Sequence, residues 1–272
     1  MRATGVAGLP WTGMGADVAP EGFNANGLAI VDYSDDVSIV PCSQPHAEIS
    51  TISEYDLVPI TPTTTTLPTT PDQRVVVEFN LTFADNKVHG VVSIDDRGFN
   101  SFEAPDVPPL FTIASGMTTA QLPNNTNAAK LDFGSHVEIV LVNDMVEQHP
   151  FHLHSHTPWV VGHGTASRED IANSNLTGFN LQNPIKRDVY TVPACDMDEN
   201  GACVNLGYLV LRFDADSPGV WMMHCHIDWH MDIGLAMVFV EGEEELQKQG
   251  VDQFADSILS VCKSDYSLGT AA

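Results

Sequence analysis

The stretch His224-Cys225-His226-Ile227-Asp228-Trp229-His230 decides how this chain is read. Its upstream counterpart is His149-Pro150-Phe151-His152-Leu153-His154-Ser155-His156. Of the chain's 11 histidines, the seven at 149, 152, 154, 156, 224, 226 and 230 lie in these two stretches. Core packing does not explain such density, because a buried imidazole brings little apolar area and needs a hydrogen-bond partner. Neighbours on a strand point to opposite faces. An extended 224–226 therefore turns His224 and His226 one way and Cys225 the other. One metal can sit on the Cys side and a different centre on the far side, joined by a single peptide step. His230 follows Cys225 by five residues, so a turn can bring it back to the Cys side. His152 and His154 share a face if their run is extended, and Pro150 is expected to end regular ladder bonding just after His149. Two imidazoles and one thiolate form a blue-copper ligand set. Zinc accepts the same ligands, but a structural zinc site does not need seven histidines around one cysteine, which favours copper.

Working outward from the clusters, short β-type runs occur at 74–83, 88–94, 136–142, 159–162, 208–213, 220–223 and 235–240, divided by turn signals such as Asp216-Ser217-Pro218-Gly219. Many short strands with polar connections predict an all-β, Greek-key β-sandwich. Apolar residues at Phe254, Ile258, Leu259 and Cys262 suggest one helical face within 243–262, a short C-terminal helix. Residues 59–71 hold four prolines and a threonine run and read as a linker. That divides the chain into residues 1–58, the end of a preceding domain, the linker 59–71, and a domain over 72–272.

At 272 residues the chain is long enough to bury a full core. Its 11 Lys+Arg against 36 Asp+Glu give a formal net charge of −25, which argues against nucleic acid or an anionic membrane as partner. No basic leader with an apolar core opens the chain. Sequons at Asn80, Asn124 and Asn175, with the acidic, Lys-poor composition, suggest a secreted glycoprotein. Cys195 and Cys203 bracket a polar loop and are expected to form a disulfide. Cys42 and Cys262 either pair with each other or have partners elsewhere.

The two clusters resemble the third cupredoxin domain of the multicopper oxidases, the laccase and ascorbate-oxidase family, whose patterns are His-Pro-x-His-Leu-His-Gly-His and His-Cys-His-Ile-x-x-His-x-x-x-Gly-Leu/Met. Trp159-Val160-Val161-Gly162, Phe179 to Pro184 with Arg187-Asp188, and Arg212 to Trp221 extend the likeness, which covers about 72–262. Residues 1–58 resemble the end of the family's second cupredoxin domain. The resemblance implies a cupredoxin-like sandwich and a copper-dependent oxidoreductase. Its type 1 copper would be held by His149, Cys225 and His230, its type 2 copper by His152, and its type 3 pair by His154, His224 and His226. His230, Cys225, His224 and His226 would then carry the electrons, with His230 presenting a ring edge to solvent. Leu235 falls at the axial position and cannot coordinate; Met231 and Met237 read as core. Ser155 stands where the motif has glycine, and His156 matches a position the family does not use as a ligand.

The family's trinuclear cluster takes eight imidazoles, four of them from a first domain. His46, His89, His136 and His163 form no His-x-His pair and read as ordinary histidines. The resemblance therefore implies a C-terminal fragment of a longer oxidase, inactive without its missing N-terminal cupredoxin domains. Cys262 would in that case bond to the first domain, as the corresponding family cysteine often does. The parent would take electrons from a small-molecule reductant, phenolic or similar, and pass them to O2. Trp221 and Trp229 read first as packing residues, and with Asp228 they are candidates to shape the pocket; Asp232 is a weak candidate proton donor, and Asp144 and Glu147 are the acidic residues a ferroxidase would use. The alternative is a single blue-copper electron-transfer module without oxidase activity.

Overall fold

In the computed structural model the chain forms two compact units, Met1–Ile52 and Ser53–Ala272. The structure describes residues 2–4, 26–28, 54–60, 66–255 and 258. In the first unit, β1 (Arg2–Thr4) pairs antiparallel with β2 (Asn26–Leu28). The expectations for Cys42, His46 and Cys262 lie outside the described residues.

The second unit is built from β3 (Gln73–Ala84), β4 (Lys87–Ile94), β5 (Ala128–Leu131), β6 (His136–Asn143), β7 (His149–Leu153), β8 (Trp159–Ala166), β9 (Ile185–Lys186), β10 (Val189–Val192), β11 (Asp196–Met197), β12 (Cys203–Asp214), β13 (Gly219–Cys225) and β14 (Ala236–Glu241). Four short helices interrupt them: α1 (Pro109–Ala114), α2 (Arg168–Ala172), α3 (Asp228–Asp232) and α4 (Glu243–Gln249). One sheet runs β4-β3-β6-β12-β8-β9, with β11 beside β12; the other runs β10-β7-β13-β14-β5. Pairing is antiparallel except for β3 with β6 and β14 with β5. This is the expected all-β sandwich. Among the described residues, no helix is long and apolar enough to cross a membrane.

The core lies between the two sheets. Val75, Val77, Phe79, Ile139, Leu141, Leu209 and Leu211 from one sheet meet Phe151, Leu153, Met223, Met237 and Phe239 from the other. Alternation assigns these faces: on β13, Met223 and Cys225 turn into the core and His224 turns away. Met237 is a core residue, as read from the sequence.

Three local expectations change. Pro150 does not end the ladder. It sits second in β7, opposite Thr191, and its carbonyl accepts a hydrogen bond from His226 N at 2.6 Å. A proline near a strand's start loses only one donor, which this register does not require. The helical reading of 243–262 holds only in part: α4 ends at Gln249, where Gly250 adopts φ 69°, and Ile258 is again helical, while Leu259 and Cys262 lie outside the described residues. Finally, residues 66–71 of the proline-rich stretch dock on the sandwich. Leu67 is buried, and the Pro68 carbonyl accepts from Arg212 Nη1 at 2.5 Å.

Arg212 is 1% exposed, and its guanidinium donates twice to Glu138, at 2.8 and 2.6 Å. Both bonds go to Glu138 Oε2, and an ion pair this deep is costly to break, since removing one partner strands the other's charge. Arg212→Met is expected to lower unfolding stability by about 3 kcal/mol, with Arg74, which lies 3.4 Å from Glu138, compensating only in part. Urea denaturation of the variant against the parent chain checks this.

Candidate metal centre

His149 opens β7, Cys225 ends β13 and His230 lies in α3. A closed loop brings the last two together. Cys225 N donates to Leu235 O at 3.1 Å, Leu235 N donates to His230 O at 2.9 Å, and His230 N donates to Ile227 O at 2.9 Å. The helical turn thus folds His230 back over the thiol. Cys225 Sγ lies 3.7 Å from His149 Nδ1 and 3.5 Å from His230 Nδ1. The three residues are 0, 0 and 3% exposed.

These positions fit a metal. Bonds of about 2.3 Å to sulfur and 2.0 Å to nitrogen, at trigonal to tetrahedral angles, separate sulfur from nitrogen by about 3.5–3.8 Å. Leu235 is fully buried beside them and offers no donor atom. Gly90 leaves room for it: a Cβ there would lie 2.6 Å from Leu235 N and 2.8 Å from Leu235 Cβ.

Burial sets the protonation of the metal-free site. It pushes the Cys225 thiol up to about 11 and pulls His230 down to about 4. Burial, with repulsion from His230, pulls His149 down to about 3. Both imidazoles are therefore neutral near pH 7 and have lone pairs to offer, whereas a metal must displace the thiol proton.

On the opposite face of β13 a second group assembles from β7 and β13, whose register sets His152 opposite His224. His154 Nε2 lies 3.2 Å from His224 Nε2. The His152 and His154 ring centroids are 4.9 Å apart, and those of His152 and His226 are 6.1 Å apart. His152 Nδ1–H donates to the Asp188 carbonyl at 2.8 Å, and His224 Nδ1–H donates to the Cys225 carbonyl at 2.9 Å. Each bond leaves Nε2 as the lone-pair nitrogen. Burial first, then repulsion among neighbouring rings, lowers the pKa of His154. Burial also lowers that of His224. His226 and His154 are exposed.

His156 stands apart from both groups. Its Nδ1 donates to the His154 carbonyl at 3.1 Å, and its Nε2 lies 2.9 Å from the fully buried Glu241. Burial lowers its pKa, but the Glu241 carboxylate outweighs that and leaves it raised. Ser155 takes φ 65°, the left-handed backbone that glycine adopts easily. Of the other expectations, Cys195 and Cys203 are disulfide-bonded. His136 pairs with Asp214 at 2.8 Å and His163 stacks on Tyr55. Asp144 is held by Arg168 at 3.3 Å, and Asp232 is exposed.

One expectation is overturned. His230 shows no solvent-facing edge: its Nε2 is buried without a hydrogen-bond partner, and the Trp229 ring packs against it with centroids 3.9 Å apart. Two contributors escape sequence reasoning, the Asp188 carbonyl and Glu241. A backbone carbonyl leaves no trace in residue type, and Glu241 lies far from His156 along the chain.

Stability should follow the titration of the Cys-side donors. Unfolded imidazoles take up protons below about pH 6.5, while the buried pair resists down to about 4 and 3. The unfolded state binds more protons in that window, so the metal-free chain loses stability as pH falls through it. Above about pH 9 the sign reverses, because the unfolded thiol ionises before the buried one. Urea midpoints of metal-free protein from pH 4.5 to 10 should peak near neutrality. His149→Gln/His230→Gln should flatten the acid limb.

A sequence profile of the multicopper oxidase family matches residues 102–245. The iron transport multicopper oxidase FET3 of Kluyveromyces lactis is 35% identical over 71% of this chain and 30% of its own length. Laccase-1 of Pleurotus ostreatus is 36% identical over 58% of this chain and 28% of its own length. The crystal structure of Fet3p, described as a multicopper oxidase that functions in iron import, superposes with TM-score 0.67 at 26% identity, covering 94% of this chain and 47% of that one. The Botrytis aclada laccase superposes with TM-score 0.60 at 25% identity, covering 90% of this chain and 40% of that one. The chain thus spans less than a third of the length of the two sequence relatives. With the family profile covering more than half of its residues, this chain belongs to the multicopper oxidase family.

Proposed function

We propose that this chain carries the electron-accepting copper site and half of the oxygen-reducing site of a copper-dependent oxidase. The observation that carries this reading is Cys225, which lies in the core between His149 and His230 while its two chain neighbours, His224 and His226, face a second imidazole group. Copper, when bound, supplies one-electron redox chemistry at the thiolate and reduction of dioxygen at the histidine face.

The chain's own residues do the rest. His149, Cys225 and His230 form a dry three-donor pocket. Leu235, buried beside them, would offer a bound copper no further donor, and copper held by two imidazoles and a thiolate alone would have a high reduction potential. The Asp188 and Cys225 carbonyls lock the tautomers of His152 and His224, so that four Nε2 or Nδ1 lone pairs are available from His152, His154, His224 and His226. The peptide between Cys225 and its neighbours links the two faces over one residue. In this reading His152 serves the type 2 centre, and His154, His224 and His226 serve the type 3 pair. The first cupredoxin domain of the parent protein completes both.

The proposed reductant is a phenol or similar small molecule, with O2 as acceptor. Secretion is proposed with it, supported by the Cys195–Cys203 disulfide and by exposed sequon asparagines at 124 and 175. A second reading, a single blue-copper electron-transfer module, is favoured by one observation: all three Cys-side donors belong to the Ser53–Ala272 unit.

The copper content of the purified chain after anaerobic Cu(I) loading and re-oxidation tests both. About one copper with an intense thiolate charge-transfer band is expected for the isolated chain, with Cys225→Ser abolishing the band. A copper-free, colourless chain would overturn the site assignment. Leu235→Met should keep the band and lower the reduction potential, measured by redox titration.

A further inference from the structure

An imidazole and two carboxylates converge outside both the Cys-side donors and the histidine face. His156 follows β7, Glu241 ends β14, and Asp216 lies in the turn before β13. One donor atom from each falls within 4.8 Å of the other two. His156 is 8% exposed and Glu241 0%, while Asp216 is exposed and opens the group to solvent.

The buried pair is not satisfied by its own contact. His156 Nδ1 lies 3.1 Å from the His154 carbonyl, which can only accept, so Nδ1 carries the hydrogen. Nε2 is left 2.9 Å from Glu241 Oε2, yet neither atom is in an aligned hydrogen bond. As a neutral ring, His156 sets a lone pair beside a carboxylate. As an imidazolium, its N–H points past the oxygen. Ser217 N holds Glu241 Oε1 at 2.5 Å and so fixes the carboxylate in this orientation. Among the described residues, no Lys or Arg pairs with Glu241 or Asp216. Orphaned buried polar atoms are rare in folded proteins, and one bound cation satisfies both of these. Two bonds of about 2.0–2.1 Å at a right angle leave their donors about 2.9 Å apart, each off the other's axis. Nε2 and Oε2 stand in that relation. Adjacent ligands at right angles belong to six-coordinate ions, with Asp216 and water free to fill further positions. One imidazole and two carboxylates without a thiolate suit a cation that prefers nitrogen and oxygen.

We propose that His156, Asp216 and Glu241 bind a divalent first-row cation of the Mn2+ class, at a site separate from the copper donors. The ion ties together the chain after β7, the turn before β13 and the end of β14. It needs no copper, so the site stands or falls independently of the copper reading above.

Mn2+ is the probe, added to the copper-free 272-residue chain in about 0.15 M salt to screen diffuse attraction to the acidic surface. Loss of the free-Mn2+ EPR signal should show about one ion bound per chain. The Trp221 indole lies 6.2 Å from the His156 ring between centroids and locates the ion. Bound Mn2+ should broaden first the indole N–H resonance that Trp221→Phe removes. Asp216→Asn, at an exposed position, should weaken binding about ten-fold. Asp214→Asn, an exposed acid two residues away that pairs with His136, should leave it unchanged. Mn2+ should raise the thermal midpoint of the parent and of Asp214→Asn more than that of Asp216→Asn. No uptake by the parent, equal affinity in Asp216→Asn, or an equal loss in Asp214→Asn would overturn the site. Broadening that reaches the Trp229 indole first would place the ion beside His230 and overturn it too.

Discussion

Strand alternation at the end of β13 is the constraint on which the rest of the site depends. Consecutive side chains on a strand cannot point the same way, so placing Cys225 in the sandwich core obliges His224 to leave it. The register to β7 then sets His152 opposite His224. A core thiol on one face and a histidine group on the other follow from the same backbone, separated by one peptide. A one-residue slip of this strand would exchange the two faces and destroy both sites.

Burial in that core decides the chemistry of the Cys side. An apolar surround penalises every charged form, so the thiol is held protonated and the imidazoles neutral. The pocket suits a soft cation that displaces a single proton and gains three donors already in place. On the opposite face, tuning comes from carbonyls. Those of Asp188 and Cys225 choose the tautomer of His152 and His224, while His156, paired with Glu241, holds the His154 carbonyl. The strongly acidic composition is a property of the surface, and it does not reach the Cys-side donors.

Much of this was legible in the residues. Alternating β-type runs marked the sandwich, and the spacing of His224, Cys225 and His226 separated two faces. Ser155 in place of glycine called for a tolerant backbone, and it adopts φ 65°. Elsewhere local rules lost to tertiary context. Pro150 stays in its strand because the register asks no donor of it. The helical spacing over 243–262 is broken at Gly250, and Ile258 beyond the break is again helical. His230 was expected to face solvent, and Trp229 covers it.

Residue order alone specifies which side chains carry chemistry and on which side of a strand each lies, because side-chain alternation is a local property of an extended chain. The convergence of His149 and His230 on the Cys225 thiol, the nitrogen each ring presents and the packing of an indole on His230 come from long-range folding. Those features depend on the register of strands distant in sequence and on how the loop from Cys225 to Leu235 closes. No local pattern encodes either.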